Sequence, residues 1–353
     1  MSAEQPIPIA VVGLGNWGRN HLRTLAGLPQ CRVKYMFDHD PATIAQLGPL
    51  YPRIEVADGL ERILGDDQVR AMVIATSARS HGELARRAIE AGKDVFIEKP
   101  MTLRIDEGRQ LVKAAERRGT LIQVGHLLLF HPAVAMLKQM IRDGDLGRIH
   151  YIYSQRLNLG VVRSDENSLW SLAPHDISLA NHLLGDAPHG IDAIGGAYLR
   201  PDIEDVIFMT LTYPGGRIAH IHVSWLDPHK VRRLTIVGSA KMAVFDDMEP
   251  VEKIRIYDKG AQATEYDSYG VAVKVRTGDT LIPAVPNGEP LREQALHFLD
   301  CVRRRQRPRV DGRDGLEVVR VLQEATGQLH SGLETSGAAT APAVTESSRG
   351  ATS

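Results

Sequence analysis

The first apolar run, Ile9-Ala10-Val11-Val12, is too short for a helix and breaks into glycines spaced G-x-G-x-x-G at Gly13, Gly15 and Gly18. Beyond them the period changes, and Leu22, Leu25 and Leu28 recur at helical intervals. Strand, glycine turn, helix is the context in which this motif cradles a pyrophosphate: Gly13 permits the sharp turn, Gly15 lets a phosphate approach the backbone and Gly18 lets the helix pack closely. The helix N-terminus that follows the turn offers unpaired N–H groups and a partial positive charge to the phosphates. The alternation continues. Arg32 to Phe37 predicts a strand ending in Asp38. Ala71 to Ala75 predicts another, stopping at Thr76-Ser77 before a helix from about Ser80 to Ala91. Asp94 to Ile97 leads into Glu98-Lys99-Pro100, a helix runs from Ile105 to Arg118, and Leu121 to Val124 precedes Gly125. Short strands alternating with helices imply a parallel, doubly wound sheet. Ligands bind at the carboxyl ends of such strands, so Gly13, Asp38, Thr76, Lys99 and Gly125 are expected along one edge.

From about residue 126 the pattern differs. One helix is expected from Pro132 to Ile141. Strands then dominate at 149–157, 191–199, 206–213, 217–223, 233–237 and 242–245, with a hairpin turn at Tyr213-Pro-Gly-Gly216. No long helix is expected between them, so this second sheet is expected to be antiparallel. Two late helices follow. One carries Leu291, Ala295, Phe298, Leu299 and Val302 on a stripe, and the other runs from Gly315 to Leu329. From Ser331 the chain is mostly Ser, Gly, Ala and Thr, too little apolar surface to order itself. The organisation expected is a dinucleotide-binding domain at 1–125, a substrate-binding and oligomerisation domain at 126–330, and a disordered tail at 331–353.

Composition narrows the function classes. The chain of 353 residues is 43% hydrophobic and 24% charged with a net charge of −1, which gives no global attraction to nucleic acid or an anionic membrane. Two distant cysteines, Cys31 and Cys301, suggest no disulfide framework. No signal peptide is recognisable and no apolar run approaches the ~18 residues of a spanning helix, so a cytoplasmic protein without a membrane partner is expected. Arg303 to Arg309 is the densest basic run and reads as a solvated helix end.

Three side chains carry the candidate chemistry. Asp38 lies twenty-five residues after Gly13, near the spacing for the carboxylate that binds an adenosine ribose. It would repel a 2′-phosphate, favouring NAD over NADP, although His39 and Arg53 could soften that. A helix cap is its bland alternative, and Asp40 fits that role better. Lys99 is placed to stabilise an alkoxide as hydride leaves; the alternative is a solvated lysine paired to Glu98. His175 follows Pro174 at the expected start of a short helix, where positive potential favours the neutral imidazole a general base needs. A structural histidine beside a capping Asp176 is equally open. His126 is placed to touch substrate or cofactor, and His131 to cap the helix at Pro132. Arg156, Asn158 and Arg163 would suit a uronate or diphosphate, or are ordinary exposed residues. His220 and His222 share a strand face without further ligands in sight, so no metal is expected.

The set Gly13-Leu-Gly-Asn-Trp-Gly18, Ala75-Thr-Ser77 with His81, Glu98-Lys-Pro100 and Ala173-Pro-His-Asp176 resembles the glucose–fructose oxidoreductase/inositol dehydrogenase/MocA family, from about Ile9 to Leu329. The resemblance implies a Rossmann domain followed by an α/β domain on a large, open, mostly antiparallel sheet, and NAD(P)-dependent oxidation of sugars, polyols or sugar nucleotides. It implies catalytic roles for Lys99 and His175. It implies cofactor contacts from Gly13, Gly15, Asn16, Trp17, Gly18, Asp38, Thr76, Ser77, His81, Glu98 and Lys99. Substrate contacts would come from Lys99, His126, Arg156, Asn158, Arg163 and His175. A homodimer or homotetramer formed through the open sheet is also implied. The stretches Val124 to Pro132, Arg156 to Gly160 and Asn167 to Asp176 are similar to the branch that oxidises the 3-hydroxyl of UDP-N-acetylglucosaminuronate and related sugar nucleotides. One departure stands out: Ser171 occupies the position where many members carry Asp, four residues before the catalytic histidine. A free-sugar or inositol dehydrogenase, or a non-catalytic NAD-binding sensor, are the competing expectations.

Overall fold

A computed structural model of the chain describes residues 5–160, 162, 163, 166–265 and 271–336. The first half alternates as expected: β1 (Ile7–Val12), α1 (Asn16–Ala26), β2 (Cys31–Phe37), α2 (Pro41–Leu47), β3 (Glu55–Val56), α3 (Leu60–Leu64), β4 (Ala71–Ile74), α4 (Ala78–Glu90), β5 (Asp94–Ile97), α5 (Ile105–Arg118) and β6 (Ile122–Val124). All six strands are parallel in the order β3-β2-β1-β4-β5-β6. The order reverses between β1 and β4, and the crevice outside their carboxyl ends is where a dinucleotide lies in such sheets.

The second half contains α6 (Pro132–Asp143), β7 (Ile149–Leu157), α7 (Ser168–Leu184), β8 (Gly190–Gly196), β9 (Val206–Tyr213), β10 (Arg217–Ser224), β11 (Val231–Gly238), β12 (Met242–Asp246), β13 (Ile254–Glu265), β14 (Val271–Leu281), α8 (Pro290–Arg304) and α9 (Gly312–Ser336). Its eight strands order as β14-β13-β12-β11-β7-β10-β9-β8, antiparallel except for the β7–β10 pair. The period of two decides the faces. On β9 and β10, Ile207, Met209, Leu211, Ala219, Ile221 and Val223 are buried on the side covered by helices. The opposite side is open and aromatic: Tyr151 stacks beside Tyr153, and Phe208 on His222 with ring centroids 4.2 Å apart. His220 bonds to Thr210 on that same side, so both histidines belong to the sheet surface.

Two features depart from the sequence pattern. The hairpin of β13 and β14 lies beyond the strands expected from the sequence: its run is rich in charged and small residues, and among its described side chains the buried apolar ones are Ile254 and Ile256, while Val275 is exposed. A boundary at residue 125 follows the chain but not the packing. Helix α8 returns to the first sheet, where Ala295, Phe298, Leu299 and Val302 join Ile9, Val11, Leu22 and Phe96 in one core. Phe298 stands edge-on to Phe96 with centroids 5.7 Å apart, and Gln294 donates to the Val124 carbonyl. Helix α9 continues through Ser331 to Ser336; the rest of the expected tail, 337–353, lies outside the described residues. No helix among the described residues is long and apolar enough to cross a membrane.

If α8 is part of the first core, Phe298→Ala should lower unfolding free energy by about 3–5 kcal/mol, the usual cost of emptying a fully buried phenylalanine site. Urea unfolding monitored by circular dichroism measures this, and a loss below about 1 kcal/mol would mean that the helix is only loosely attached.

Candidate active site

The glycine turn is built by close approach. Gly13 has φ +87°, in the left-handed region, and a Cβ on it would lie 2.6 Å from the Thr76 nitrogen. A Cβ on Gly18 would fall 1.8 Å from the Gly13 carbonyl oxygen, so this glycine is required by the turn itself more than by the strand. Gly15, which caps α1, faces open space, leaving room for a phosphate against the helix N-terminus. Asn16 and a half-exposed Trp17 start the helix at the rim.

Asp38 ends β2 and reaches back to this turn. Its Oδ2 accepts the Leu14 N–H at 2.6 Å and its Oδ1 the Asp40 N–H at 2.9 Å. His39 Nδ1 also stands 3.1 Å from Oδ1, and Oδ2 keeps capacity for one more donor, which a ribose hydroxyl would supply. Asp40, not Asp38, caps α2, accepting from Ala42 and Thr43. His39 lines the cleft beside Asp38, and Arg53 does not.

The cleft has a volume of about 1220 Å³ and is lined by the glycine turn, Asp38, Thr76, Ser77, Glu98, Lys99, Arg163 and Glu166, among others. That exceeds the range for ordinary small-molecule pockets and suits a dinucleotide with a second ligand. Open backbone at Gly15, a free helix terminus and a carboxylate at the end of β2 together fit NAD.

His81 lines the same cleft, but its ring is committed elsewhere. Its Nδ1 lies 2.8 Å from the Pro100 carbonyl and its Nε2 3.1 Å from that of Thr76. A neutral imidazole carries one N–H and so donates to one of these two carbonyls, bracing that loop against α4 at the cleft wall. Burial lowers its pKa below the usual histidine value.

Lys99 follows β5 and joins Pro100 through a cis peptide. The solvated alternative is excluded: its side chain is turned inward and Nζ donates to the Ser171 carbonyl of α7 at 3.1 Å. Burial lowers the ammonium pKa below 10.5; Glu166 and Glu98 oppose that fall, while Arg163 and Arg156 add to it.

His175 lies inside α7, not at its start. Asn167 caps the helix, its side chain accepting the Trp170 N–H at 3.2 Å, and Pro174 sits within the second turn. An internal proline costs ~3 kcal/mol in an exposed helix. Here Leu169, Ala173, Ile177, Ala180 and Leu184 bury enough surface to override it. The expected neutral imidazole is obtained for another reason. Burial first, then Arg156 and Lys99, hold the His175 pKa well below 6.5. Ser171 and His175 are four residues apart, hence on one helix face. The carbonyl that holds Lys99 and the imidazole therefore belong to the same turn, and His175 Nδ1 has no hydrogen-bond partner among the described residues.

Other candidates divide. Arg156 is buried and bidentate to Asp176, through Nε at 2.7 Å and Nη2 at 3.3 Å. Asp176 thus holds an arginine and neither caps the helix nor orients His175. Arg163 lines the cleft and pairs with Glu166 at 2.7 Å. Asn158 lies just past β7, bonds through its backbone to Ser224 and does not line the cleft. His126 is buried, its pKa pushed down to about 4 by burial and then Lys99, and it lines a second cavity of about 540 Å³. His131 caps α6 through Nδ1, which accepts the Ala133 N–H at 3.0 Å. Among the described residues no group of three His, Cys, Asp or Glu could hold a metal ion. Lining or supporting residues outside the expected set include Arg79, Glu166, Trp170 and, behind the cleft, His21. A signal for His21 existed, since it lies on the same buried helix stripe as Gly18, Leu22 and Leu25.

Comparison with known proteins agrees with this geometry. A family model described as an oxidoreductase family with an NAD-binding Rossmann fold (GFO/IDH/MocA) matches residues 7–126, and the GFO/IDH/MocA C-terminal domain matches residues 134–244. UDP-N-acetylglucosamine 3-dehydrogenase of Acidithiobacillus ferrooxidans is 28% identical over 252 residues, covering 71% of this chain and 77% of the relative. Its solved structure superposes with a TM-score of 0.78 at 25% identity, covering 93% of this chain and 98% of that one. Inositol 2-dehydrogenase 2 of Saccharopolyspora erythraea is 29% identical over 224 residues, 61% of this chain and 66% of the relative. With both halves matched and the NAD cleft in place, the chain belongs to the GFO/IDH/MocA family of NAD-binding oxidoreductases.

Proposed function

We propose that this enzyme oxidises a ring hydroxyl of a sugar nucleotide, the 3-hydroxyl of a UDP-N-acetylhexosaminuronate or a related compound, in the cytoplasm. The observation that carries the reading is the Lys99–Ser171 bond, which sets the ammonium of Lys99, a residue lining the dinucleotide cleft, against the turn of α7 that bears His175 behind that lining. NAD, when bound, supplies the hydride acceptor. His175, neutral because it is buried among cations, accepts the hydroxyl proton on a ring nitrogen. Lys99 donates to the same oxygen and stabilises the negative charge that grows there. Ser171 contributes its carbonyl to the lysine and takes over no charge from the aspartate found in many relatives. Arg163 lines the cleft, and its guanidinium, paired there with Glu166, suits an acidic sugar or a diphosphate. The similarity to a UDP-N-acetylglucosamine 3-dehydrogenase supports the nucleotide, and the similarity to an inositol dehydrogenase supports a free polyol as the competing substrate. The exposed aromatic face of the second sheet supports a homodimer or homotetramer, for which light scattering should return a multiple of 38.8 kDa.

Lys99→Ala and His175→Ala should each lower turnover by ~100-fold or more while leaving NAD affinity within a few-fold. Near-normal turnover in both would remove the assignment. In an NADH absorbance assay, UDP-sugars should be oxidised with higher kcat/KM than free sugars or inositols; the reverse order would favour the polyol reading. The pH profile of kcat/KM should place its acid limb below 6.5, where His175 protonates, and its alkaline limb below 10.5, where Lys99 loses its proton. The alkaline limb should vanish in Lys99→Ala.

A further inference from the structure

Behind the cleft, α1 carries a histidine that neither ligand would touch. His21 is 2% exposed, and its Nε2–H donates to Glu98 Oε1 at 2.7 Å. Glu98 is buried too, and its Oε2 accepts the Lys99 main-chain N–H at 3.1 Å. Gly125, past the end of β6, closes over that oxygen, since a Cβ there would lie 2.9 Å from it. The His21 ring stands edge-on to Phe96 with centroids 4.9 Å apart, which holds its orientation. Two successive hydrogen bonds therefore run from the helix that opens at the glycine turn to the backbone of Lys99.

Burial pushes Glu98 up, but the His21 hydrogen bond, with Lys99 nearby, outweighs it and holds the carboxyl below its ordinary value. The charges facing Lys99 come from several elements. Glu98 lies on its own strand end, Glu166 and Arg163 in the segment before α7, and Arg156 on β7. The imidazoles of His81 on α4, His126 after β6 and His175 on α7 feel the same ammonium. Glu98 and Glu166 are the two anions that favour the ammonium form. A buried carboxylate deprived of its donor takes up a proton instead of staying charged. Removing His21 would therefore cost Lys99 one of those two anions and weaken the acceptor on its backbone.

We infer that His21 is a positioning residue, acting through Glu98 to set both the backbone and the charged state of Lys99 and so tying that lysine to the helix that receives the dinucleotide. The inference rests on the reading of Lys99 as a catalytic residue, but its test does not require turnover. In the full-length protein, without sugar or NAD, acetylation of Lys99 by acetic anhydride is followed against pH by peptide mass spectrometry. His21→Leu should move the midpoint of Lys99 labelling down by about one pH unit, the size expected when a neighbouring opposite charge is lost. His21→Gln, whose amide can still donate to Glu98, should restore the wild-type midpoint. With UDP-N-acetylglucosamine as probe, kcat should fall ~10-fold or more in His21→Leu and recover in His21→Gln, with KM for NAD within about threefold in both. An unchanged labelling midpoint in folded His21→Leu, or equal damage in both variants, would overturn the inference. If His21→Leu does not fold, Glu98→Gln removes the same charge and should give the same downward shift; an unchanged midpoint there overturns it equally. Should the probe sugar not be oxidised even by wild-type protein, the proposed substrate fails while the labelling midpoint still decides the role of His21.

Discussion

The hydrogen bond from Lys99 Nζ to the Ser171 carbonyl joins the two halves of the molecule at the point where chemistry is expected. Lys99 belongs to the end of a strand in the parallel sheet, and Ser171 to a helix lying on the antiparallel one. A single ammonium thus depends on both sheets being in register with each other. Taking it out of water is unfavourable, so every contact that keeps it charged, from Glu98, Glu166 and the carbonyl, is a constraint on how the halves pack.

The neighbouring charges obey the same constraint. Arg156 lies on β7 beneath the site and would be costly there alone; Asp176, one residue after His175, is its bidentate partner. Glu98 is held by His21, and Asp38 by the backbone of the glycine turn. Each buried charge is therefore tied to an element other than its own, so the site is braced from α1, β2, β7 and α7 together. Burial first, and then the cations Arg156 and Lys99, keep the His175 imidazole neutral. The helix dipole is not needed for that outcome.

Local signals in the sequence were sound where the chemistry was local. The glycine spacing, Asp40 and His131 as caps, and the strand before Lys99 all depend on residues a few positions apart. Readings that needed distant partners fared less well. His81 faces the carbonyls of Thr76 and Pro100, the second of them nineteen residues away, which its neighbours in sequence do not reveal. Asp176 looked like a cap, and its partner proved to be twenty residues upstream. Pro174 looked like a helix start because proline is tolerated in a first turn. The preceding turn is helical nonetheless, since Asn167 caps it and Leu169 is fully buried.

By itself the sequence determined the alternation of strands and helices in the first half, the strand-rich second half as far as β12, and the glycine turn with the carboxylate that ends β2. These follow from periodicity, backbone freedom and side-chain chemistry, all properties of short segments. Only the tertiary structure decided that α8 completes the first core, that α7 continues through its proline, and that Lys99 bonds to the turn of α7 that carries His175. Those outcomes depend on which surfaces exclude water together and on which buried charges find partners, and such pairings are made across the fold, not along the chain.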